Sequence, residues 1–122
     1  MRSRRFRCPL YRVEFLAIRC PEKALGAAVR RAFPQLAPEA LADLTSHAAQ
    51  SFGLCLYEPP AVIIWIDSRL RFRQDRMLTA VHEALHATEQ VLGRAGLQMT
   101  TESVEAFTYY QGWVLREMWG VV

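Results

Sequence analysis

Two of the three histidines in this chain stand four residues apart, in His82-Glu83-Ala84-Leu85-His86. The residues around them recur at helical spacing: Met77, Leu78, Val81, Leu85, Thr88, Val91 and Leu92. Asp75 supplies an N-terminal acid for such a helix, and Gly93 with Gly96 ends it. Positions four apart on an α-helix lie about 40° apart around the axis and about 6 Å apart along it. Both imidazoles therefore leave one face and can reach one metal ion. Glu83 lies on the flank of that face, where it can address a water without ligating the metal. Two nitrogen ligands and a general base are the parts this spacing supplies.

A catalytic zinc needs a third protein ligand and one open position. A third histidine six residues after His86 is missing, because Leu92 stands there. The following helix offers carboxylates instead. Glu102 and Glu105 are three apart and share a helical face. The Gly93-Arg94-Ala95-Gly96 turn lets that helix fold back on the His82–His86 helix. Glu105 is favoured as the third ligand, with Glu102 as alternative ligand or as an acid supporting one. Spacing alone leaves the choice between them open. Tyr109, with Tyr110 and Arg116, is a candidate donor to an oxyanion or substrate.

The rest of the chain bounds the class. Its 122 residues, 52% hydrophobic and 22% charged, suit one soluble globular domain. The longest uncharged apolar run, residues 61–66, is far too short to span a bilayer. Cys8, Cys20 and Cys55 are an odd number without CxxC spacing, which suits a reducing cytoplasm rather than a disulfide framework. Charge is uneven. Residues 1–31 carry nine Lys/Arg against Glu14 and Glu22, whereas the remainder carries six Arg against ten Asp/Glu. The first nine residues read as a frayed basic arm, able to meet nucleic acid or an acidic partner. Residues 10–122 read as the single folded domain.

Alternation of β-branched and aromatic residues predicts a strand over 10–18. Pro21-Glu22 opens a helix to about Phe33, and Pro38 opens another through Phe52, closed by Gly53. Residues 54–57 and 61–66 form a hairpin around Pro59-Pro60. Arg69, Arg71 and Arg73 fall in an extended or loop stretch, where solvated edge charges are the simplest reading. A last helix runs over about 101–119, capped by Thr100 or Thr101. His47 reads as an exposed or hydrogen-bonded histidine, with no acid at ligand spacing. The element order implies an α+β fold: a small twisted sheet packed on helices.

His82-Glu83-Ala84-Leu85-His86-Ala87, followed by Glu102-Ser103-Val104-Glu105-Ala106-Phe107-Thr108-Tyr109, resembles the gluzincins, zincin-type metallopeptidases with a glutamate third ligand. The Glu-Ala-Phe-x-Tyr run looks most like small zincin-like proteins of phages and prophages, and more distantly like ImmA/IrrE-type peptidases. The resemblance covers residues 62–119. It implies a minimal zincin-like domain with zinc on His82, His86 and Glu105, and with Glu83 as base. It implies hydrolysis of a peptide bond in a peptide or protein substrate by metal-activated water. It also implies an edge strand before the histidine helix, here residues 62–67, able to pair with an extended substrate. Gluzincins often place an Asp four residues after the ligand glutamate, where this chain has Tyr109. Two other classes compete. One is a zincin scaffold of mobile-element origin that binds a host protein without turnover. The other is a basic nucleic-acid-binding domain.

Overall fold

A computed structural model describes residues 1–122. Four strands and four helices follow in the order β1 (Arg2–Cys8), β2 (Val13–Cys20), α1 (Glu22–Ala32), α2 (Pro38–Ala48), β3 (Gly53–Glu58), β4 (Ala61–Asp67), α3 (Arg73–Arg94) and α4 (Val104–Met118). A single turn of 3₁₀-helix, Trp119–Val121, follows α4. The fold is α+β, with one mixed sheet in the order β1-β2-β4-β3. β1 and β2 are antiparallel, β2 and β4 parallel, and β3 and β4 antiparallel.

Sequence explains the centre of this sheet. Every residue of β4, Ala61-Val62-Ile63-Ile64-Trp65-Ile66-Asp67, is buried. A continuous apolar run of that kind belongs to a strand covered on both faces. On one face Leu16, Ile18, Ile63 and Trp65 pack against Leu25 and Val29 of α1 and Leu44 and Ala48 of α2. On the other, Phe15, Ala17, Val62, Ile64 and Ile66 meet α3 and α4. The alternation of strand side chains thus feeds two cores from one sheet. Trp65 Nε1 donates to the Cys20 carbonyl at 3.0 Å, so the largest core side chain leaves no buried donor unmet.

Three expectations change. Residues 2–8 are not a frayed arm but the strand β1, registered on β2 from Arg2 opposite Arg19 to Cys8 opposite Val13. Phe6 fixes it there, stacked on Phe15 with ring centroids 4.7 Å apart. Arginine alternating with apolar residues is how an exposed edge strand is kept from pairing with other chains. Second, β4 is not an edge strand: it lies between β2 and β3, and β3 is the free edge beside α3. Third, α2 stops at Ala48, and α4 begins at Val104 rather than near residue 101. Neither Thr100 nor Thr101 caps it: the N-cap is Ser103, without a side-chain cap bond, and the Thr100 hydroxyl instead accepts from the amides of Glu102 and Ser103 in the turn before the helix.

α3 buries Thr88, Val91 and Leu92 of the expected stripe, but its first half turns a different face inward. Ala80, Ala84, Ala87 and Val91 meet the sheet, whereas Leu78 and Val81 of the expected apolar stripe are 63% and 43% exposed. Small side chains let the helix backbone sit close to the strands. Gly53, first residue of β3, shows how close. A Cβ there would come within 2.3 Å of Thr79 Cγ2 and 3.2 Å of the Trp65 carbonyl oxygen.

Candidate active site

The alanine face fixes what the rest of α3 presents. With Ala80, Ala84 and Ala87 on the sheet, the 100° helical step turns His82 and His86 away from it and leaves Glu83 on the flank toward β3. The two imidazoles meet: His82 Nε2 and His86 Nε2 are 3.0 Å apart, with ring centroids 4.6 Å apart. This is the one hydrogen bond either ring makes. An N–H of one ring can donate to the lone pair of the other, or both lone pairs can meet one cation. Two nitrogens on a tetrahedral zinc at the usual bond length stand about 3.3 Å apart, so the pair already has nearly that bite.

Glu83 is only 7% exposed, and its Oε1 lies 3.8 Å from His82 Nε2. Burial pushes its carboxyl above the usual carboxylate range, and His82 and His86 pull it partly back. A carboxylate raised in this way is a better proton acceptor near neutral pH than an exposed one.

Glu83 and His86 form one wall of a cleft of about 440 Å³. The start of β3 forms its floor, through Gly53, Leu54 and Cys55, and α2 forms the other wall, through Asp43 and His47. Burial, with Glu83 second, pushes the Cys55 thiol up to about 12. Cysteine nucleophiles need the opposite shift, so Cys55 serves the cleft as an apolar wall.

His47 is the residue that sequence reasoning passed over. An acid does stand at helical spacing from it. His47 Nδ1 lies 2.8 Å from the Asp43 carbonyl oxygen and 3.4 Å from Asp43 Oδ1. The i, i+4 pairing of Asp43 and His47 is visible in the sequence. That β3 brings it opposite Glu83 and His86 is not.

The carboxylates and tyrosine expected from the region of α4 are placed differently. Glu102 lies in the turn before α4, and Glu105 in its first turn, both exposed. Tyr109 is 74% exposed, and neither it nor the two glutamates line the cleft. Tyr110 points into the aromatic cluster of Tyr11 and Trp113, its buried hydroxyl without a partner. No group of three or more His, Cys, Asp or Glu side chains is gathered closely enough to hold a metal ion. The imidazole pair has nearly the bite of two zinc ligands, but no third ligand stands beside it. Gln111 Nε2 donates to the Val81 carbonyl at 3.1 Å, which ties α4 to α3.

Compared with protein-family models, curated proteins and solved structures, the chain matches none. No helix is long and apolar enough to cross a membrane.

Proposed function

We propose that the chain is a zinc-dependent peptidase of the minimal zincin-like type, working in the cleft between α2, β3 and α3. The observation that carries this is the His82–His86 pair, with Nε2 atoms 3.0 Å apart beside the buried carboxylate of Glu83. His82 and His86 would hold the metal. Glu105 is the proposed third ligand and Glu102 the alternative, both of them exposed and outside the cleft lining. When bound, zinc supplies Lewis acidity, polarising a carbonyl and lowering the pKa of water.

The protein's own groups would do the remaining work. Glu83 takes a proton from water and returns it to the departing amine. Its buried setting raises its basicity and keeps it out of the bulk solvent. His47, whose Nδ1–H donates to the Asp43 carbonyl, faces the same space, and as an imidazolium it would present an Nε2–H donor to the developing oxyanion. The exposed edge of β3 beside the cleft can take an extended peptide as an added strand, a role that β4 in the sheet interior cannot fill.

The test is a proteome-derived peptide library incubated with the zinc-loaded protein. Wild type is expected to give discrete cleavages, and Glu83→Gln to lose at least about 100-fold in rate while keeping its metal. Equal cleavage by both proteins would remove Glu83 as the base.

A further inference from the structure

A second concentration of chemistry lies away from the cleft and shares no residue with its lining. The strand register sets Arg2 directly opposite Arg19 on antiparallel neighbours. Like charges so placed repel, which is a cost that sheets usually avoid. Arg71, after β4, and Arg76, in the first turns of α3, join them around one hollow of about 470 Å³.

None of these four guanidiniums has an Asp or Glu carboxylate within ion-pair distance. The arginine ion pairs of the chain are Arg4–Glu117, Arg5–Glu14 and Arg69–Asp67. No Asp or Glu lines the hollow, and no aromatic side chain does. Two of the four are instead pinned by main-chain oxygens. Arg19 Nη1 donates to the Val122 oxygen at 2.8 Å, and Arg76 Nε donates to the same atom at 2.7 Å. Arg76 Nη1 also donates to the Leu70 and Arg71 carbonyls, at 3.1 and 2.6 Å. These bonds use part of each fork and leave other N–H groups free. Arg2 and Arg71 are exposed and make no side-chain hydrogen bond. The Arg19 guanidinium is pushed below its ordinary value by burial first, then by Arg76 and Arg2, as expected where guanidiniums crowd with no Asp or Glu among them.

We propose that Arg2, Arg19, Arg71 and Arg76 form an oxyanion site that takes a phosphate group. Two preset guanidiniums fix its orientation and two mobile ones close on it. Guanidinium forks match the several oxygens of a phosphate better than they match a single carboxylate. The lack of an aromatic wall means that no base is stacked, so the group is recognised by charge and shape and not by sequence. Its source is either a free phosphate or a nucleic-acid backbone, and the chemistry is shared.

The experiment titrates the full chain with inorganic phosphate at constant ionic strength, reading amide chemical shifts and the melting midpoint. Wild type is expected to show saturable shifts confined to residues 2, 19, 68–71 and 76. The double variant Arg2→Gln/Arg71→Gln, altered only at exposed positions, is expected to bind at least tenfold more weakly. Arg5→Gln, on the same strand but on the other face and paired with Glu14, is expected to bind like wild type. A second arm uses a 20-base-pair duplex over a salt series. Tighter binding than inorganic phosphate, with a salt slope that falls by about two in the double variant, assigns the source to a nucleic-acid backbone. Duplex binding no tighter than inorganic phosphate assigns it to a free phosphate. The absence of a saturable response to both probes would overturn the site, as would equal affinity in the double variant.

Discussion

At the scale of single residues, two positions are set by how closely α3 lies on the sheet. Gly53 has no Cβ because Thr79 and the Trp65 carbonyl occupy its place. Gly53→Ala should cost about 1–3 kcal/mol in a denaturant melt, the range for overpacking. Adding Thr79→Ser deletes the clashing methyl while keeping the hydroxyl that donates to the Asp75 carbonyl, and should recover more than half of the loss. The second position is Glu83, raised by burial. A carboxyl with a raised folded-state pKa favours the fold fully below its unfolded value, and this contribution is lost as pH rises through the folded value. In metal-free protein, Glu83→Gln should therefore melt higher than wild type at pH 8, with the gap closing toward pH 4. Equal midpoints at both pH values would contradict the burial. The residue pattern was legible where it was local. His82, Glu83 and His86 announce themselves because four residues make one helical turn. Asp43 and His47 obey the same rule, but their meaning depends on which helix β3 brings opposite.

At the scale of elements, the apolar pattern of α3 held at Thr88, Val91 and Leu92 but misled in the first half of the helix, because it ranks side chains by size. Leu78 and Val81 lie outward while Ala80, Ala84 and Ala87 pack. Close approach of a helix to a sheet selects small residues, and hydrophobic periodicity does not register that. A paired substitution separates the two readings. Ala84→Leu should cost about 1–3 kcal/mol or fail to fold, whereas Leu78→Ala should stay within about 0.5 kcal/mol of wild type. The reverse order would restore the size-ranked face. β1 was hidden by its arginines. Charge runs at a chain start resemble solvated tails, yet Phe6 and Cys8 alternate with them at strand spacing and supply the contact that binds the strand. Phe6→Ala should cost on the order of 2 kcal/mol and increase amide exchange throughout β1. A frayed segment would show neither effect.

At the scale of the whole molecule, one sheet serves two jobs. Its buried centre, β2 and β4, carries both cores, and its β3 edge with α2 and α3 encloses the proposed catalytic cleft. The α+β class followed from the order of apolar runs and breakers, which are local signals. The order β1-β2-β4-β3 did not, because strand neighbours depend on contacts far apart in sequence. The same limit governs the third ligand. The spacing that named Glu105 places it in the first turn of α4, exposed and outside the cleft lining, because side-chain convergence depends on how two helices pack and not on their separation in sequence. Metal content by mass spectrometry of the native protein tests the central claim most directly, in wild type, Glu83→Gln, His82→Ala and His86→Ala. The account predicts one zinc per chain in the first two and none in the histidine variants. A wild type that takes up no zinc from a zinc-supplemented buffer, or a His82→Ala protein that keeps it, would contradict it.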